Sequence, residues 1–271
     1  MAVRGGMLRG ARLARLGARL GARRAGIGAL AGVLLMCACS PGAAQAGQSA
    51  RLHVGLRPER LGAGTTIAFG FQIEAAGGAL PGALTLLDVR LPPGMGIDTA
   101  GLATCAQAML THGPRGCSAN AQVGTGSVKV QVPLGNVIRP EIAALTVFNG
   151  PRQDGHTTLL FYAAGKLPIA TQLIFTGVIV PGPLGQRIEA SIPLIPTLPN
   201  TPDAAIVEMT ASLGTRRHTY YRTIGHRRVH LTPKGVTLPG RCPAGGFPFS
   251  AEFHFNDGSS AEAGTTVGCP G

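Results

Sequence analysis

Apolar and polar residues alternate with a period of two through most of this chain, in short runs broken by Gly, Pro, Asn and Asp. The runs at 51–57, 65–75, 83–91, 121–132, 141–148, 157–164, 169–180, 187–195, 205–213, 216–232, 247–256 and 259–268 read as strands. Alternation of this kind puts one face of a strand on a core and the other in water. Many short strands joined by Gly/Pro turns predict an all-β fold: an antiparallel β-sandwich, immunoglobulin-like or jelly-roll-like. A membrane barrel would alternate as well, but it needs aromatic girdles, and the chain has no Trp and three Tyr. Only 102–110 (LATCAQAML) predicts a short helix, stopped by His112-Gly113-Pro114.

Two stretches of the pattern carry more detail. Asp257-Gly258 predicts a two-residue hairpin turn, with Phe255 facing Ser260, Phe253 facing Glu262 and Phe249 facing Thr266. Phe247, Phe249, Phe253 and Phe255 then share one parity and point to the core, while Glu252, His254 and Asn256 take the wetter side. Pro193, Pro196, Pro199 and Pro202 recur at the three-residue period of a polyproline II helix. We read 193–204 as a stiff connector crossing between sheets rather than as a proline-rich ligand. It is the one candidate sub-boundary in an otherwise single domain, 47–271. The 67 residues that follow it would make a poor core alone.

Composition narrows the class. Gly and Pro fill 62 of 271 positions, which excludes an all-helical bundle. The chain is 45% hydrophobic and 13% charged, which excludes a highly charged disordered protein. No repeat suggests a solenoid.

The first 46 residues follow a different pattern. They hold seven Arg and no acidic residue, then an apolar run from Ile27 to Ala38, then Ala44-Gln45-Ala46. A helix of that run would span only about 18 Å, short of a bilayer core of about 30 Å. The three parts make a secretory signal peptide, with cleavage expected after Ala46. Arg23-Arg24 leaves twin-arginine export open, and Cys39 leaves a lipid anchor open. The remaining chain has no apolar stretch of membrane length. Removing 1–46 takes away seven of the 24 basic residues and none of the 12 acidic ones, so a net charge of +12 falls to +5. That weakens any case for nucleic-acid binding, and no nucleic-acid partner is expected.

Four cysteines remain: Cys105, Cys117, Cys242 and Cys269. An even count in an exported chain suggests disulfides, and of the three possible pairings locality favours Cys105–Cys117 and Cys242–Cys269. A four-Cys zinc site would need CxxC pairs, which are missing, and reduced thiols in an oxidising compartment. No metal or cofactor is expected. The chain also lacks GxSxG, HExxH, SxxK and phosphate-loop patterns, so no catalytic residue is assigned. Among the seven His, His218, His226 and His230 would share a strand face only if no turn intervened. A turn near Ile224-Gly225 is expected to separate them.

One segment stands out chemically. Residues 216–234 carry Arg216, Arg217, Arg222, Arg227, Arg228 and Lys234 with no acid, and account for the whole excess of positive charge after residue 46. Tyr220 and Tyr221 interleave with them. Arginine forks recognise phosphate and carboxylate bidentately, and Tyr adds stacking area. The segment therefore predicts a basic hairpin that binds an anionic envelope polymer, such as a teichoic acid, lipopolysaccharide or acidic glycan. The rival reading is a solvated strand pair whose Arg residues guard an edge against aggregation.

Several motifs recur together: Leu91-Pro92-Pro93-Gly94, the Cys105/Cys117 pair followed by Asn120 to Gly126, and Cys242-Pro243-Ala244-Gly245-Gly246-Phe247 through Asp257-Gly258 to Cys269-Pro270. As a group they resemble uncharacterised exported proteins of high-GC actinobacteria, a resemblance that the excess of Arg over Lys (21 against 3) fits. It covers most of 50–271, implies a secreted β-rich fold and carries no activity or cofactor with it. The expectation is an exported, non-catalytic protein, secreted or at the cell surface, with a structural or binding role. A secreted hydrolase and a self-associating envelope component are the alternatives.

Overall fold

The computed structural model describes residues 47–215 and 218–269. The expected signal segment 1–46, with Cys39 and the cleavage position after Ala46, lies outside these residues, as do Arg216 and Arg217. Each alternating run becomes a strand, except 216–232, which becomes two. In chain order they are β1 Gln48–Arg57, β2 Gly64–Ala75, β3 Leu84–Arg90, β4 Gly96–Asp98, β5 Gln122–Leu134, β6 Val137–Asn149, β7 Thr157–Ala164, β8 Gln172–Pro181, β9 Gln186–Ser191, β10 Ala205–Leu213, β11 Tyr220–Ile224, β12 Arg227–Leu231, β13 Gly235–Thr237, β14 Phe247–Phe255 and β15 Ser260–Val267. The short strands β4 and β13 fall outside the expected runs, since three residues are too few to show a period.

All pairings are antiparallel, and the main sheet runs β15-β14-β3-β9-β8-β7-β6-β5-β10-β2-β13-β4, with β1 also on β2. The sheet curls until β1 lies beside β15. There the Gln48 amide donates to Ser259 Oγ at 2.7 Å and to Asp257 Oδ2 at 3.3 Å. The inward faces then meet over one apolar interior, an all-β, sandwich-like architecture. Phe71 on β2 and Phe253 on β14 are not sheet neighbours, yet their rings meet edge to face with centroids 5.0 Å apart. β10 lies between β5 and β2, so strands from both sides of the 193–204 connector share this sheet.

Three local expectations change. The connector is a folded loop rather than an extended polyproline II rod: the Ala204 amide donates back to the Ile195 carbonyl at 2.9 Å, and Thr197 Oγ1 donates to the Pro202 carbonyl at 2.7 Å. Both bonds need the chain to double back. At the last hairpin the loop has three residues, Asn256-Asp257-Gly258, because the Phe255 amide pairs with the Ser259 carbonyl and Gly258 takes φ +82°. The register therefore slips by one: Phe253 faces Ala261, Glu252 faces Glu262 and Phe249 faces Thr265. Parity within β14 is unaffected, and all four phenylalanines are buried.

The expected helix at 102–110 is the third. Only Gln107–Leu110 coils, as a 3-10 turn, with two further short 3-10 turns at Pro114–Gly116 and Ala119–Ala121. The start of the run is held extended instead. The Cys105 amide donates to the Asn149 carbonyl at 2.9 Å, Asn149 Nδ2 donates to the Ala103 carbonyl at 3.0 Å, and the Ala103 amide reaches the Asn120 carbonyl at 3.3 Å. Those tertiary bonds satisfy the backbone groups that a helix would have paired internally. The apolar residues of this segment cover the outer face of β6 and β7: Leu110, Cys105 and Cys117 pack with Phe148, Leu160 and Tyr162 in a second small core. This is why β7 is buried on both faces from Thr158 to Ala163.

The two local disulfides form as expected. Cys105 bonds Cys117 with Cα atoms 5.5 Å apart, and Cys242 bonds Cys269 at 5.9 Å. The first ties the covering loop to itself. The second joins the open end of the β14–β15 hairpin.

Candidate functional site

The basic segment folds as a two-stranded sheet of its own, β11 against β12. Gly225 and His226 make the turn, with Gly225 at φ +61°, a conformation glycine adopts without the clash other residues meet. The register pairs Tyr221 with His230, Thr223 with Arg228, and Ile224 with Arg227. Residues directly opposite share a face, so the candidate side chains divide. Tyr221, Arg228 and His230 lie on one face. Tyr220, Arg222 and Arg227 lie on the other.

On the first face the three side chains cluster, the guanidinium over the Tyr221 ring and the His230 ring tilted against it. The Arg228 guanidinium sits 4.2 Å from the centroid of the Tyr221 ring, and the His230 ring lies 5.3 Å from it on the other strand. Tyr221 is 58% exposed, and Arg228 and His230 are exposed too. Stacking fixes the guanidinium while leaving its N–H fork facing water, an arrangement suited to a planar anion. His230 was not among the expected contact residues. Its alternating position relative to Arg228 was the only available signal.

On the second face Arg222 and Arg227 are exposed and Tyr220 is half-buried. Tyr220 serves the fold here, its ring lying directly over the backbone of Gly101 and leaving no room there for a Cβ. It anchors the hairpin to the turn that follows β4. Among the described residues no carboxylate lies within ion-pairing distance of Arg222, Arg227, Arg228 or Lys234. The three histidines separate as expected: His226 in the turn, His230 on β12 and His218 before β11. Among the described residues no group of three or more metal-ligating side chains converges.

A second cluster was invisible in the sequence. Glu262, Glu252, Asp88 and Glu189 stand in one row across β15, β14, β3 and β9, on the outer face. Arginines interleave: Arg90 meets Glu252 at 3.1 Å, and Arg187 meets both Asp88, at 3.3 Å, and Glu189. His254 Nε2 lies 3.2 Å from Glu252. Burial pushes the Asp88 carboxyl above its ordinary pKa, against the pull of Arg187 and Arg90. The row is an ion-pair ladder on the outer face, with Glu252, Asp88 and Glu189 each committed to an arginine. No catalytic pair in a cleft is formed by it.

No family model matches the chain, and neither a curated protein nor a solved structure is similar to it.

Proposed function

We propose that this is an exported, non-catalytic protein that binds an anionic envelope polymer through the basic hairpin. The observation that carries the reading is the clustered Arg228–Tyr221–His230 face, with exposed Arg222 and Arg227 on the opposite face of the same hairpin. A strand pair that only guarded an edge would need spread charge. It would not need a guanidinium held over an aromatic ring on a two-stranded sheet that pairs with no strand of the main sheet. Two disulfides fit an oxidising, extracellular setting. Among the described residues no helix is long and apolar enough to cross a membrane.

The contact would be electrostatic, with phosphate or carboxylate groups accepting from the arginine forks and sugar rings resting on Tyr221. Such binding weakens as salt shortens the screening length from about 10 Å at 0.1 M to about 3 Å at 1 M. The test is retention of the protein on isolated envelope polymers at ~0.05 M and ~0.5 M salt. A variant with Arg222, Arg227 and Arg228 changed to Gln runs beside it. Retention lost both with salt and in the variant supports the reading, and equal retention of the two proteins at low salt sinks it.

A further inference from the structure

The interior between the facing halves of the sheet is not completely filled. An apolar cavity of about 90 Å³ runs through it, lined from Glu141, Gly165 and Thr197 at one end to Ile97, Leu213 and Val236 at the other. Glu141 is the ionisable side chain of that lining. It stands on the inward parity of β6, in line with buried Ala143, Leu145 and Val147, at a position the alternation reserves for an apolar residue. The residue is 8% exposed, and its Oε1 is buried without a hydrogen-bond partner.

Among the described residues no donor reaches Oε1. Oε1 rests against the Cα of Gly165, where any side chain would collide with it. The nearby Gly165 amide is already engaged with the Thr171 carbonyl at 2.9 Å. A buried carboxyl oxygen without a donor is unfavourable, and a donor from outside the chain would satisfy it. The loop 165–171 and the connector 193–204, which border this end, also expose Leu167, Leu194 and Leu198, at 78%, 45% and 48%. An apolar approach, an apolar chamber and one inward-facing acid coincide.

We infer that this cavity takes the alkyl chain of a primary amine, whose ammonium group donates to Glu141 at this end. An ammonium supplies both the missing donor and the compensating charge, and such charge-assisted bonds are the stronger kind. A liquid water occupies about 30 Å³, so the cavity has room for roughly three or four chain carbons before the core must move.

The test is titration of the protein with n-alkylammonium ions of two to four carbons, followed by two-dimensional NMR, which reads millimolar affinities. The n-alcohols and n-carboxylates of equal length run beside them. The ammonium series should bind at least ten-fold tighter than either control, and Glu141→Gln should lose that preference while retaining the wild-type circular dichroism. Ala143→Leu, which fills the chamber beside Glu141, should abolish binding of all three series. If Glu141→Gln fails to fold, the wild-type comparison of the three head groups decides alone. Equal affinity for amine, alcohol and acid, or no binding by the wild type, overturns the inference.

Discussion

The contact between Phe71 and Phe253 gives the most direct test of the architecture. The two rings lie on strands that share no hydrogen bonds, and they are 1% and 0% exposed. Each ring buries about 150 Å² or more, which at about 25 cal/mol per Å² is a transfer term near 4 kcal/mol. Phe71→Ala and Phe253→Ala should each cost about 3–5 kcal/mol, the range for large core truncations. A domain of this kind has a total stability of about 5–15 kcal/mol, so each variant should remain folded but unfold at much lower urea. The double variant carries the sharper information. Rings meeting edge to face at 5.0 Å should couple by about 0.5–1.5 kcal/mol beyond the area each buries. Because the chain has no Trp, urea unfolding is best followed by far-ultraviolet circular dichroism. Single costs that add to within about 0.3 kcal/mol would mean the rings do not touch. The sheet would then not fold back on itself at this point. The stacked pair Phe161–Phe175, at 4.8 Å, is the control, since adjacent strands hold it together whatever the closure.

Other expectations follow from particular residues. Replacing Cys105 and Cys117 together by Ser should cost about 3 kcal/mol, and replacing Cys242 and Cys269 about 3.6 kcal/mol, on the chain-entropy account; the first pair should also loosen the cover over Leu160 and Tyr162, seen as faster amide exchange in β7. Gly126→Ala, usually neutral or stabilising in a strand, should instead cost about 1–3 kcal/mol in a denaturant titration, because its Cβ would collide with the Thr210 carbonyl of β10. The Asp257 pKa lies below its ordinary value because the Ser259 hydroxyl and amide both donate to it, at 2.6 and 2.9 Å. Its contribution is therefore full above about pH 4 and lost as pH falls through the lowered value, so the wild-type advantage over Asp257→Asn should vanish in acid. Asp88 has the opposite sign: its raised pKa makes the folded state bind the proton more readily, so its ionisation should lower stability as pH rises through that value, and the step should be missing in Asp88→Asn.

The strands of the main sheet were legible because their signal is local. A period of two survives wherever one face is buried and the other wet, and Phe247, Phe249, Phe253 and Phe255 sit inward whatever the loop length. Turn residues and cysteine spacing are local signals too, so the break at Gly225 and both disulfides could be read from short stretches. The basic hairpin was equally visible, since its charge is contiguous in sequence. Which side chains share a face was not. A one-residue difference in loop length decides register, and register placed Arg228 with Tyr221 while sending Arg222 and Arg227 to the other side.

Features that depend on strands distant in sequence appear only in the folded chain. The run 102–110 looked helical because its apolar residues serve a neighbour, the outer face of β6 and β7, and its backbone bonds go to Asn149 and Asn120. The row of Glu262, Glu252, Asp88 and Glu189 draws on residues up to 174 positions apart, from Asp88 to Glu262, and exists only through three strand pairings. Glu141 opens the run 141–148, whose alternation says nothing of its partners, and only the closure of the sheet over β6 buried it and left its Oε1 without a donor. Sequence alone determined which segments become strands and where charge concentrates, because both follow from residues within a few positions of each other. Tertiary structure decided which of those residues meet and which are cut off from water, because that depends on the order in which the strands pair.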